Sequence, residues 1–313
     1  MKITKKYKSF LPFLILFLGF FLRVKLLPYK THWSDMYFWK DWAEGIIEVG
    51  TKNFYNEYNS DYLPFYPLVL GFIKRLYNAL AVLKIIPIHH FYKLPAVIFD
   101  LLLGGLIFRI LKEKLGVYKG VLFLCLFLFN PAIFANSSMW GQVDVVGTFF
   151  TVLSLFFFFK KHYFFSGAAL GFSLCTKPLY ILIAPVFLIA YFKRKPQKSK
   201  IFKDLFLLAS GAAFFGWLIT SVFVDLSQQS VLLKIFQPFV FLFKRYRLIS
   251  NRYPYSSVNA FNFWGLVEEK FWVSDLRIFA GLQVHTWGLV LTGGLLLLIL
   301  GRYLYKNKKD MFE

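Results

Sequence analysis

Apolar residues run through the chain in blocks of membrane-spanning length, and short basic clusters separate the blocks. The pattern predicts helices over residues 10–22, 94–111, 121–135, 143–159, 163–176, 179–192, 204–224 and 285–300. Most come near the ~20 residues that a helix needs to cross a bilayer, which gives about eight crossings. Residues 163–176 and 179–192 are short for full crossings, and a re-entrant hairpin there keeps the same sidedness. The first block is read as an uncleaved anchor and not as a signal peptide, because no small-residue cleavage site follows it and Arg23 and Lys25 come directly after it.

Lys and Arg gather in the short loops on the cytoplasmic side of a membrane protein. The basic loops 2–8, 109–119, 160–161, 193–203 and 302–309 all fall on one face, so both termini are expected inside. The opposite, external face receives residues 28–93, 136–142, the Lys177-Pro178 turn and 225–283. Residues 66–83 are also apolar, but Lys74 and Arg75 sit at their centre. A charge at mid-membrane costs about 2.5–3.5 kcal/mol on insertion scales, so this segment reads as an amphipathic helix in the outer interface. Helical spacing over residues 36–49 puts Phe38, Trp42, Ile46 and Val49 on one face, as expected of a second helix resting on lipid. The expectation is an all-α, polytopic membrane bundle with external juxtamembrane helices, forming one domain over residues 1–313.

Composition agrees with this reading. Hydrophobic residues make up 58% of the chain, above the ~45–50% of an average globular domain. The net charge of +21 (37 − 16) would suggest nucleic acid in a soluble chain, but no nucleic-acid motif accompanies it, and the positive-inside rule with anionic lipid accounts for it. Cys125 and Cys175 both lie in apolar blocks, which excludes a disulfide framework and a thiolate metal site. No P-loop, dinucleotide fingerprint, nucleophile elbow or zinc motif is present.

The candidate chemistry gathers in the external loops. Asp35 stands in Trp33-Ser34-Asp35-Met36-Tyr37-Phe38-Trp39, where an interfacial aromatic belt needs no carboxylate; an N-cap role for Ser34 or Asp35 is the alternative. Trp140, Gln142 and Asp144 exceed what a turn between helices requires, and Asp144 enters an apolar helix. Asp100 lies within a span, facing either the same external cavity or a packing partner. Lys177 at a short hairpin turn, and Arg245, Arg247 and Arg252 beyond it, are candidate contacts to a lipid phosphate. Tyr255, Asn259, Asn262 and Trp264 suit a sugar or headgroup, since amides match hydroxyls and rings stack on sugar faces.

These motifs in their order resemble the GT-C superfamily of membrane glycosyltransferases, and within it the mannosyltransferases related to those of GPI-anchor synthesis. The resemblance rests on Ser34-Asp35-Met36 with Trp42-Ala43, Tyr62-Leu63-Pro64-Phe65-Tyr66-Pro67, Lys93-Leu94-Pro95 with Asp100, Asn130-Pro131 with Trp140-Gly141-Gln142-Val143-Asp144, Thr176-Lys177-Pro178 and Asn259-Ala260-Phe261-Asn262-Phe263-Trp264. It implies a GT-C-like domain that moves a mannose-like hexose from a polyprenyl-phosphate carrier to a glycan or lipid acceptor on the external face of the cell membrane, by inverting displacement. Asp35 would be the catalytic base, and Lys177, Arg245, Arg247 and Arg252 would bind the donor phosphate. Asp144, Asp100 and Gln142 would orient the acceptor or, through the carboxylates, hold a divalent cation such as Mg or Mn. Trp140, Tyr255, Asn259, Asn262 and Trp264 would contact the sugar. Two other readings stand beside it: a flippase or transporter of a lipid-linked substrate, which would show inverted repeats that this chain lacks, and a shortened, non-catalytic partner subunit.

Overall fold

The computed structural model describes residues 3–80, 82, 85–193, 197–227, 230–258, 262–268 and 272–309. They are almost entirely helical, with one short hairpin of strands Ile278–Phe279 and Leu282–Gln283. The chain divides into two compact units, the first comprising Met1–Ile181 and Ser199–Lys244, the second Leu182–Lys198 and Arg245–Glu313.

In the first unit, α1 (Ile3–Leu26) leads through a short loop to α2 (Trp33–Glu48), α3 (Gly50–Glu57) and α4 (Phe65–Ala79). Next come α5 (Ile88–Leu115), α6 (Val117–Leu128), α7 (Pro131–Phe134), a π-helical turn at Ala135–Trp140, α8 (Asp144–Phe159) and α9 (Tyr163–Leu174). A 3-10 turn (Pro178–Ile183) leads to α10 (Ala184–Phe192), α11 (Lys198–Ser221), which returns to the first unit, and α12 (Val231–Ser250). Helices α13 (Phe263–Glu268) and α14 (Val284–Lys309) flank the hairpin of the second unit.

Among the described residues, two helices are long and apolar enough to cross a membrane, Ile88–Leu115 and Ser199–Ser221; the bent pair Val117–Leu128 and Pro131–Trp140 adds a third if it is one span broken by 51°. Asp144–Phe159, Tyr163–Leu174, Pro178–Phe192 and Val284–Ile299 are apolar but shorter. The eight crossings expected from hydropathy are therefore not all matched by helices of spanning length. The block 121–135 runs through Asn130-Pro131, where α6 has ended, and the blocks at 143–159, 163–176 and 179–192 are themselves shorter than a span.

The core of the first unit forms where α2 meets α4 and α5. Trp39, Trp42, Ile46, Tyr66, Leu70 and Tyr92 are buried together with Val143 and Val146 of the turn into α8. This corrects the reading of α2 as a helix resting on lipid. Trp42 and Ile46 are 2% and 1% exposed, covered by α4, and only Phe38 of that face stays open. Segment 66–83 does form a helix too short to cross, with Tyr66, Pro67, Leu70 and Gly71 turned inward and Lys74 paired to Glu44 of α2 at 3.3 Å.

Arg23 near the end of α1 is fully buried, a position that only pairing makes tolerable for a guanidinium. It reaches Asp100 in the middle of α5 at 2.9 Å and donates from Nη1 to the Leu128 carbonyl at the end of α6 at 3.0 Å. Asp100 is 1% exposed, and the first turn of the π-helical segment that follows is buried as well at Ser137 and Ser138. One ion pair thereby ties together α1, α5 and the end of α6.

Removing one member of a buried pair strands the other charge, at a cost of about 3–5 kcal/mol. Arg23→Met is therefore expected to lower thermal stability in detergent by that amount, and adding Asp100→Leu to restore most of it. A double variant no more stable than the single one would show that the pair is not the lock.

Candidate functional site

The loop between α1 and α2 is held from below by Lys93 of α5. Its ammonium is buried and donates to the carbonyls of Leu27 at 2.9 Å and Tyr29 at 2.6 Å, so the charge is solvated by backbone. Above Lys93 passes Gly141, with φ +87; a Cβ there would lie 2.9 Å from Lys93 Cγ and 3.0 Å from Trp39, so only glycine closes the turn in this way. That turn ends the π-helical segment Ala135–Trp140, a wide coil of the kind that re-aims side chains at functional positions.

Trp140 is re-aimed toward α2. Its indole Nε1 donates to Asp35 Oδ2 at 2.6 Å, its carbonyl accepts from Thr31, and His32 stacks on its ring at 5.7 Å. The N-cap of α2 is His32, so Ser34 and Asp35 lie inside the first turn and neither caps it; Ser34 bonds the His32 ring at 2.7 Å. Asp35 near a helix N-terminus is favoured by the helix dipole, which leaves its carboxylate free to hold the indole. A shallow cavity of about 470 Å3 opens beside Trp140, with Lys30, His32 and Asn136 on its rim.

Asp144 opens α8 and pairs with Lys177 at 2.5 Å, with side-chain exposures of 47% and 23%. Lys177 also lies over the Tyr62 ring, 5.1 Å from its centre, which is a cation–π contact. The main chain of Asp144 is pinned as well, its carbonyl accepting from Tyr180 at 2.7 Å and Thr148 at 2.8 Å. Tyr180 gets this close because Gly147 has no Cβ, which would fall 2.1 Å from the ring.

Tyr62 lies under the second pair, beneath the Lys177 ammonium. Burial, then Tyr66 and the carboxylates of Asp144, Asp61 and Asp35, push its phenol well above the usual value, so it stays neutral. Tyr66 is raised by burial and by Asp35. One aromatic step is therefore felt by both Asp35 and Asp144. The structure shows two pairs, Asp35 with Trp140 and Asp144 with Lys177; His32 stacks on the first and Tyr62, which packs on Tyr66, lies under the second, and none of these three was marked by the sequence as a site residue. Tyr62 and Tyr66 stand in a conspicuous Tyr-Leu-Pro-Phe-Tyr-Pro run, and that proline-punctuated aromatic run was the available signal.

The other expected residues lie elsewhere. Asp100 is committed to Arg23, and the Gln142 side chain accepts from the Val143 backbone N–H at 3.0 Å, a local contact at the start of α8. Arg245, Arg247, Arg252, Tyr255, Asn262 and Trp264 belong to the second unit. There Tyr255 packs edge-on against Trp272 and Trp264 against Phe279, while Asn262 caps α13 by accepting from Gly265 N–H and donating to the Ser256 carbonyl. Asn259 lies outside the described residues. Among the described residues, no cluster of three or more His, Cys, Asp or Glu side chains is placed to hold a metal ion.

Chemically, neither acid of the first unit is a bare base. Asp35 already accepts from an indole and Asp144 from an ammonium, an arrangement that fixes hydrogen-bonding groups in place. The sequence model of the GPI transamidase subunit PIG-U matches residues 13–269, the greater part of the chain and all of this site. The chain belongs to the PIG-U family. No curated protein and no solved structure matches it. The family ties the chain to GPI-anchor machinery, as the resemblance had, but it is the family of a GPI transamidase subunit and not of a glycosyltransferase. The expected glycosyltransferase activity is thereby overturned, and support for a polyprenyl-phosphate sugar donor goes with it. Order and spacing of motifs can persist in a scaffold after its chemistry has gone, because the same groups that orient a substrate also bind one.

Half-exposed pairs are worth little to folding. A double-mutant cycle on Asp144→Asn and Lys177→Met should return a coupling of about 1 kcal/mol or less in thermal unfolding. A coupling as large as that expected for Arg23 and Asp100 would make the pair a structural strut.

Proposed function

We propose that this chain is a membrane-embedded, non-catalytic subunit of a GPI-transamidase-type complex, and that the Asp35–Trp140 and Asp144–Lys177 face holds the headgroup of the glycolipid substrate. The observation that carries this reading is that both carboxylates are already bonded to a donor, so the face offers fixed acceptors, a cation and an aromatic wall in place of an unengaged base. Sugar hydroxyls suit Asp35, Asp144 and the rings of Trp140 and Tyr62; a headgroup phosphate suits Lys177. The family match supports the subunit assignment. We further propose that the whole chain forms one multi-pass domain, with this face on the side opposite the basic loops, and that Arg245, Arg247, Arg252, Tyr255 and Trp264 of the second unit contact lipid headgroups in their own right. The positive-inside pattern supports the sidedness.

The test is photo-crosslinking of a glycolipid analogue carrying a mannose-containing headgroup to the chain in its complex. Lys177→Glu and Asp35→Ala should each reduce labelling about tenfold, the loss expected for a charge-assisted hydrogen bond, while co-purification of the complex is unchanged. Undiminished labelling in both variants would refute the assignment of this face.

A further inference from the structure

A second cavity, of about 460 Å3, lies in the first unit between α3, the turn after α11 and the start of α12. Its wall is aromatic: the Tyr55 ring lies 5.1 Å from Phe223 and 5.4 Å from Phe241, and its hydroxyl is occupied by the Tyr62 carbonyl, so it presents a ring face. Its polar lining is of a different kind. Asn53, Asn56 and Gln237 bring side-chain amides that make no hydrogen bond among the described residues. Lys52 is paired to Asp225 at 3.0 Å, which leaves Lys244 as a cation with no acidic partner among the described residues.

Helix α12 shows what lies around this cavity. Gln237, Phe241 and Lys244, at i, i+4 and i+7, line it, while Leu232, Phe236, Phe239 and Phe243 form the opposite stripe and are 67%, 56%, 36% and 72% exposed. A helix with one open apolar stripe and one polar, cationic face lies in a membrane interface, with its polar face at headgroup depth. An amide pairs with a hydroxyl as both donor and acceptor, a ring stacks on the face of a polyol, and an unpaired ammonium takes a phosphate.

We infer that this cavity binds a phosphorylated polyol, with the phosphate on Lys244 and the hydroxyls on Asn53, Asn56 and Gln237, and that the occupant is the headgroup of an anionic membrane lipid. The apolar stripe of α12 beside it gives acyl chains a surface that a free polyol phosphate would leave unused. The site is separate from the Asp35 face and does not rest on the reading given above for that face.

The experiment uses the full chain in two arms. In phosphatidylcholine nanodiscs doped with fluorescent phosphatidylinositol, Lys244→Gln and the pair Asn53→Leu with Asn56→Leu should each weaken phosphatidylinositol binding about tenfold. Lys244→Arg should retain most of it, and Lys119→Gln, a charge-matched change outside the cavity lining, should leave it unchanged. In detergent, calorimetry with myo-inositol 1-phosphate separates the sources: binding that depends on Lys244 there would assign the site to the free polyol phosphate, and its absence alongside lipid binding assigns it to the lipid. All variants sit at exposed or half-exposed positions, and gel filtration checks that they fold. Equal phosphatidylinositol binding by folded wild type and Lys244→Gln, or equal binding of phosphatidylcholine alone at the site, overturns the inference.

Discussion

The buried pair of Arg23 with Asp100 holds the arrangement on which the candidate site depends. Two charges taken out of water are tolerable only when each finds partners, and here the partners belong to different segments. The guanidinium bridges α5 and the carbonyl end of α6, from which the chain runs through α7 into the π-helical turn. Trp140 hangs on the last residue of that turn. Its aim at Asp35 follows from where the pair fixes the turn, and from Lys93 fixing the loop that carries Thr31 and His32.

The same economy separates structural charge from functional charge in this protein. Arg23, Asp100 and Lys93 are buried and each is bonded to partners on other segments, so they hold helices and loops in place. Asp35, Asp144 and Lys177 are partly open, each with bonding capacity left for a ligand. Their engagement with Trp140, with one another and with the Tyr62 ring gives a face suited to grip. It fits the membership of a non-catalytic subunit family better than the proton transfer that a carboxylate beside a leaving phosphate suggests.

Much of this was legible in the sequence and some was not, for definite reasons. Periodicity pointed to helices within residues 36–49 and 66–83, and α2 and α4 lie there, because apolar spacing is a local property. It put Trp42 and Ile46 on one face of α2 without revealing that α4 covers that face, since spacing says nothing of what lies opposite. Asp35, Trp140, Asp144 and Lys177 stood out as groups where turns and spans do not need them, and the structure pairs Asp35 with Trp140 and Asp144 with Lys177. The partner of Asp100 did not stand out. Arg23 is 77 residues away and reads as the basic flank of a first span, a role that positive-inside counting assigns to any such residue. The eight blocks are matched by only two or three helices of spanning length among the described residues, in part because apolar composition runs on through the break at Asn130-Pro131 ahead of the π-helical turn.

Binding and catalysis leave different marks on turnover, so the kinetics of the intact complex test the central claim most directly. With the complex built on Asp35→Ala, transamidation of a GPI-type glycolipid should show KM raised about tenfold and kcat within about twofold of wild type, as for a group that holds substrate equally in ground and transition states. A fall in kcat of about 100-fold at unchanged KM, the loss typical of a missing general base, would contradict the account and return Asp35 to chemistry.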